Sequence, residues 1–125
     1  MSFPTKLREI LGAEFYLCMG RDDHYIAVYS PEEFEIYQTK LNSIPGKAGS
    51  VVRRKLLSCT DRQVPDKQGR ILISPILKEH ACLEKDVVVI GSSNHAEIWD
   101  QKLWDDFNGS VSIDDISDAI SQITL

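Results

Sequence analysis

Asp66-Lys67-Gln68-Gly69-Arg70-Ile71-Leu72-Ile73-Ser74-Pro75 is the stretch that decides how this chain is read. A Pro-Asp-x-x-Gly tract (Pro65 to Gly69) between Val64 and the apolar run Ile71 to Ile73 spells a tight turn at a hairpin tip. In such a turn the Asp side chain caps backbone donors and Gly supplies a positive φ. The turn projects Lys67 and Arg70 from a rigid base. A Lys/Arg tip of this kind can contact phosphates, or a guanine edge through the bidentate fit of guanidinium to O6 and N7. The plainer alternative is an Asp66/Arg70 pair that only holds the turn together.

Downstream of the turn, Pro75 to Gly91 resembles Pro4 to Gly20. Each copy runs from its proline through Leu-Lys/Arg-Glu (Leu7-Arg8-Glu9; Leu77-Lys78-Glu79) to an apolar strand closed by glycine (Phe15-Tyr16-Leu17; Val87-Val88-Val89). A polar turn with His24 or His95 follows, then a short strand (Tyr25 to Tyr29; Ala96 to Trp99) and a helix with aromatics three apart (Phe34 and Tyr37; Trp104 and Phe107). Two copies about 71 residues apart predict a pseudo-twofold pair of half-modules. The Asp66 to Arg70 segment has no counterpart in the first copy, because Met1 falls where Leu72 would be. The repeat therefore predicts a sibling of that segment upstream of Met1, lost naturally or placed before the start of the sequence.

The remaining segments carry ordinary helix signals. Ser30-Pro31-Glu32-Glu33 is a capping box with Pro at the first helical position, followed by the stripe Phe34, Tyr37, Leu41 and Ile44. Ala48, Val51, Val52, Leu56 and Leu57 fit a second helix, which presents Arg53, Arg54 and Lys55 as a nucleic-acid or acidic-partner surface, or as a solvated face. Ser112 with Asp115 caps a terminal helix bearing Ile113, Ile116, Ile120 and Ile123, expected to pack on the body or on a neighbour.

With 125 residues, 42% of them hydrophobic and 26% charged, the chain suits one folded unit or two small modules sharing a core. Apolar runs such as Val87 to Ile90 fall far short of a membrane span, and a cytosolic location is expected. Cys18, Cys59 and Cys82 are widely spaced and odd in number, so they read as small core hydrophobes. The net charge of −5 is unevenly spread. Gly46 to Arg70 holds seven cations against two acids, a local +5, whereas Glu97 to Asp118 holds one cation against seven acids, a local −6. Such halves can form opposite faces of one molecule or complementary faces of neighbouring subunits. No nucleophile elbow, zincin, P-loop or dinucleotide fingerprint occurs, and His24 and His95 lack ligand spacing. No enzyme, metal or cofactor is expected.

Asp66 to Pro75, Leu77-Lys78-Glu79-His80-Ala81, Leu83 to Gly91 and Glu97-Ile98-Trp99 together resemble the second repeat of the MraZ family. In the first half, Ser2 to Glu9, Tyr29 to Phe34 and Val52-Arg53-Arg54-Lys55-Leu56-Leu57-Ser58 resemble the same family. The resemblance implies an α+β fold of two AbrB-like β-barrel half-modules with short helices. It divides the chain into a first module over 1–58, a second over 59–109 and a C-terminal helix over 110–125. It further implies a regulator of the bacterial division and cell-wall gene cluster that assembles into rings, commonly octameric. Such a regulator binds direct repeats in its own promoter and represses it in the nucleoid, without a membrane. By motif, Asp66 and Arg70 match the family's second Asp-x-x-x-Arg, with Lys67, Gln68 and Gly69 between them. Lys67, Arg70, Arg53, Arg54 and Lys55 are the DNA-contact candidates; Asp66, Gln68 and Gly69 are the motif's scaffold. The family's first Asp-x-Lys-Gly-Arg, the motif most closely tied to DNA, would lie before Met1. The alternative is thus a shortened assembly module that co-oligomerises with a full-length copy or a protein partner.

Overall fold

Period-two alternation of apolar residues builds a sheet covered differently on its two faces. The computed structural model describes residues 1–123, the side chains of Lys6 and Ile10 apart. In chain order the elements are α1 (Thr5–Leu11), β1 (Phe15–Met19), β2 (Ile26–Tyr29), α2 (Pro31–Asn42), α3 (Gly46–Ser58), β3 (Asp61–Gln63), α4 (Pro75–His80), β4 (Val87–Ser92), β5 (His95–Asp100), α5 (Gln101–Ser110) and α6 (Ile113–Ile120). The strands form one antiparallel sheet in the order β3-β1-β2-β5-β4.

Phe15 and Leu17, Ile26 and Val28, Ala96 and Ile98 pack into one core with Phe3, Leu11, Ile71, Ile73 and Leu77. The intervening residues of the same strands, Cys18, Ala27, Tyr29 and Trp99, pack into a second core beneath Phe34 and Tyr37 of α2 and Leu103 and Trp104 of α5. Tyr25 and Trp99 stack at 5.4 Å, and Tyr29 and Tyr37 at 5.1 Å. Local chemistry sets the helix starts. Ser30 Oγ accepts from Glu33 N at 3.2 Å, and Pro31 opens α2. Buried Asp100 accepts from Leu103 N at 3.3 Å, capping α5, and from Glu84 N at 3.1 Å. A carboxylate out of water is tolerable only with such partners.

Four expectations are corrected. The sheet is open rather than a closed barrel: β4 bonds to β5 alone, and β3 is a three-residue edge strand. Closure requires both outer strands to find partners, and neither does within the described residues. The turn at Asp66 forms, but its flanks are not a strand hairpin, because Val64 (59% exposed) and Leu72 (81%) have no neighbouring strand. Cys18 and Cys59 are buried, and burial pushes the Cys18 thiol up to about 11, well away from a reactive thiolate. Cys82 is exposed instead; it follows the end of α4 with φ +54°, where the chain leaves the helix surface. Finally, α6 forms with its Ser112/Asp115 capping box, and of its two expected seats, body or neighbour, the body does not bury it among the described residues, every residue from Val111 to Ile123 being exposed.

Candidate functional site

Backbone hydrogen bonds build the turn first and the cation follows. Gly69 N donates to Asp66 O at 2.9 Å and Asp66 N to Arg70 O at 3.1 Å, closing a five-residue loop. Asp66 Oδ1 accepts from Gln68 N at 3.0 Å and Arg70 N at 2.8 Å, while Oδ2 accepts from Arg70 Nε at 2.8 Å. Arg70 Nη2 reaches Gln68 Oε1 at 3.4 Å, and among the described residues nothing accepts from Nη1. The guanidinium is therefore clamped at its inner edge and open at its outer one, with 64% of the side chain accessible. Lys67, also exposed, sits beside it at the tip.

The chain's own N-terminal segment holds the turn in place. Phe3 N donates to Gly69 O at 2.8 Å, Ile71 N to Met1 O at 2.8 Å, and the Met1 ammonium to Ile71 O at 2.7 Å. This pairing brings α1 against the turn, so that a Cβ at Gly69 would lie 2.6 Å from Arg8 Cζ. With φ +76° as well, the position suits glycine on two independent grounds. Arg8 is the cation that sequence reasoning missed as a site residue. Its Nη2 donates to Thr5 Oγ1 at 3.0 Å and its Nε is buried without a partner. No local motif signals this placement, which comes from pairing residues about seventy positions apart.

The hydrogen bonds received by Asp66, led by the one from the Arg70 backbone, hold its carboxyl below the usual aspartate range. A depressed value means that the turn's order is present above the ordinary aspartate pKa and is lost as pH falls through the lowered one. The amide resonances of Gln68 and Arg70, followed by NMR during acid titration, are expected to move together with a midpoint below that of an unstructured Asp peptide. A midpoint at or above the peptide's would contradict the clamp.

The other three predicted cations stand elsewhere. Arg53 Nη1 donates to Leu41 O at 3.0 Å and Ile44 O at 2.9 Å, satisfying carbonyls at the end of α2. A Cβ at Gly49 would lie 2.8 Å from that same Nη1, so the α2/α3 junction is built around the guanidinium. Arg54 and Lys55 are exposed, Lys55 on the border of a groove between α2 and α3. No hydrogen bond or ion pair joins these residues to Lys67 or Arg70 among the described residues. The two repeat-related histidines also lie apart. His24 Nδ1 is 2.9 Å from His80 O, whereas His95 Nε2 is 2.8 Å from Glu97 Oε2. Among the described residues no three His, Cys, Asp or Glu side chains gather as metal ligands, and no helix is long and apolar enough to cross a membrane.

Comparison with known proteins identifies the family. The family model described as MraZ protein matches residues 56–121, which contain the whole turn. The transcriptional regulator MraZ of Thermoanaerobacter sp. (strain X514) is 38% identical over 127 aligned positions, covering 98% of this chain and 87% of the relative. Its counterpart from Acetivibrio thermocellus is 39% identical with the same coverage. That from Hydrogenovibrio crunogenus is 32% identical, covering 100% of this chain and 89% of the relative. A family model spanning more than half of the chain, and relatives that match it almost end to end, establish that the chain belongs to the MraZ family.

Proposed function

We propose that this protein is a transcriptional regulator that binds double-stranded DNA through the Asp66–Arg70 turn, recognising direct repeats in the promoter of the bacterial division and cell-wall gene cluster and repressing it. It acts as an oligomeric ring, commonly of eight copies, in which several small contacts are summed. The observation that carries the reading is the clamped guanidinium: Arg70 is fixed at Nε by Asp66 and presents its outer edge from an exposed tip shared with Lys67. Pre-orientation removes the rotamer entropy that a free arginine would lose on binding. The relatives' printed name, transcriptional regulator, supports the same role.

A division into modules over 1–58 and 59–109, with a helix over 110–125, also belongs to this reading. The register between β2 and β5 supports it. Ile26 pairs with Ile98 and Ala27 with Glu97; at the repeat spacing of about 71 Ile26 corresponds to Glu97 and Ala27 to Ile98, so each pair maps onto the other, as a twofold axis between them requires. Of the remaining candidates, exposed Arg54 is kept as a further DNA contact apart from the turn, whereas Arg53 holds α2 and α3 together and Lys55 borders the groove between them.

Lys67 has no side-chain partner in the turn among the described residues and is assigned to phosphate. In Lys67→Ala, affinity for promoter and scrambled duplexes is expected to fall alike, and the slope of log K against log salt to shrink by about 0.9, one phosphate equivalent in B-DNA. Anisotropy titrations at a series of salt concentrations measure this. An unchanged slope would remove Lys67 from the interface. Full assembly without any DNA selectivity would instead favour the assembly-module reading.

A further inference from the structure

The C-terminal helix is amphipathic and has no seat. Ile113, Ile116 and Ile120 recur on one face of α6, with Ile123 just beyond, and they are 81%, 49%, 43% and 62% exposed. The opposite face carries Asp114, Asp115 and Asp118, and the helix holds no cation. Eight residues are fewer than the roughly 12–15 at which an isolated helix becomes even marginal in water. An ordered α6 therefore needs a surface to lie on, and its own chain supplies none.

The groove between α2 and α3 has the complementary chemistry. It encloses about 680 Å³, its floor includes Leu41, Val51 and Leu56, and Arg21, Lys40 and Lys55 stand at its rim with no acidic residue among its lining. Val51 is 54% exposed there. His80, on the same wall, holds Nε2 away from solvent without a hydrogen-bond partner. An eight-residue helix is about 12 Å long, shorter than either flanking helix of 12 or 13 residues.

We propose that α6 of one copy docks in the α2/α3 groove of a second copy, isoleucines inward, with its acidic back, Asp114 nearest the edge of the apolar stripe, held in the positive field of Arg21, Lys40 and Lys55 at the rim. The inference rests on the self-assembly reading above and names the surfaces that perform it. Helix and groove are different patches of one chain, so the contact is heterologous and, when its rotation closes, generates a ring. It also brings Lys55 of the local +5 stretch near Asp114, Asp115 and Asp118 of the local −6 stretch.

The test is a charge exchange read by sedimentation velocity. Lys40→Glu/Lys55→Glu makes the groove acidic against an acidic helix; Asp114→Lys/Asp118→Lys makes the helix basic against a basic groove. Each variant alone is expected to need at least about tenfold higher concentration to half-assemble than the parent chain, because like charges are brought together. An equimolar mixture restores assembly, since each variant's groove then fits the other's helix, and restoration excludes misfolding as the cause. Normal assembly of either variant alone, or no recovery on mixing, would overturn the docking while leaving the ring reading in place, and the groove would then belong to another ligand. A parent chain that stays monomeric at every concentration would overturn both.

Discussion

In the Arg70→Ala protein, affinity for the promoter duplex is expected to fall by about 5- to 150-fold, corresponding to the 1–3 kcal/mol of a well-placed arginine contact. The fold is expected to survive. Truncation removes the Nε bond to Asp66 Oδ2, but Asp66 Oδ1 keeps its bonds from the backbone N of Gln68 and of residue 70, and Gly69 N still donates to Asp66 O. The turn is thus held by main-chain donors, and the loss reports on the guanidinium itself. Summation over linked copies enlarges the effect on the assembled protein. Arg70→Lys keeps the charge without the planar fork, so it should recover nonspecific affinity and leave discrimination between duplexes impaired. Anisotropy titration, with the circular dichroism spectrum and assembly state as controls, measures both; undiminished affinity in Arg70→Ala with a preserved fold would exclude the residue from the interface.

Trp99→Ala carries the largest expected cost to stability, about 3–5 kcal/mol, the range for truncating a buried tryptophan. Trp99 is 4% exposed on the interior strand β5, where it stacks on Tyr25 at 5.4 Å and meets Trp104 at 5.5 Å and Phe107 at 5.4 Å. Its removal opens a cavity between the sheet and α5 and strips aromatic contacts worth more than their area. The indole also donates to Glu97 Oε1 at 2.9 Å, so a half-buried carboxylate loses a partner. Against the 5–15 kcal/mol typical of a domain, this removes a large share of the stability, and the urea midpoint is expected to fall steeply. Urea denaturation followed by far-UV circular dichroism checks this; a loss under about 1 kcal/mol would mean that the second core does not hold α5 to the sheet.

What could be read from the sequence was whatever neighbouring residues decide. Ser30 and Ser112 cap the helices that their spacing with Glu33 and Asp115 announced, because a cap is made within four residues. Phe15 to Leu17 and Tyr25 to Tyr29 were legible as strands from their apolar runs, and the Pro-Asp-x-x-Gly tract marked the turn that Asp66 and Gly69 make. Pairing over long separations was hidden. An open sheet rather than a barrel, the exposure of Leu72, and Arg8 beneath Gly69 all depend on which backbone lies next to Ile71, and it is that of Met1 to Phe3. Arg53 looked like part of a basic stripe because the carbonyls it caps belong to the end of a different helix. Cys82 looked like core because composition cannot foresee the left-handed residue that ends α4.

The proposed function has this chain select its own promoter through the Asp66–Arg70 turn. The most direct test is an anisotropy titration of the 125-residue protein against a duplex of its operon promoter repeats and a scrambled duplex of equal composition, at two salt concentrations. Tighter binding to the promoter is expected at both, by about 10³-fold or more once linked copies engage successive repeats, with both affinities falling as salt rises. Equal affinity for the two duplexes would contradict it.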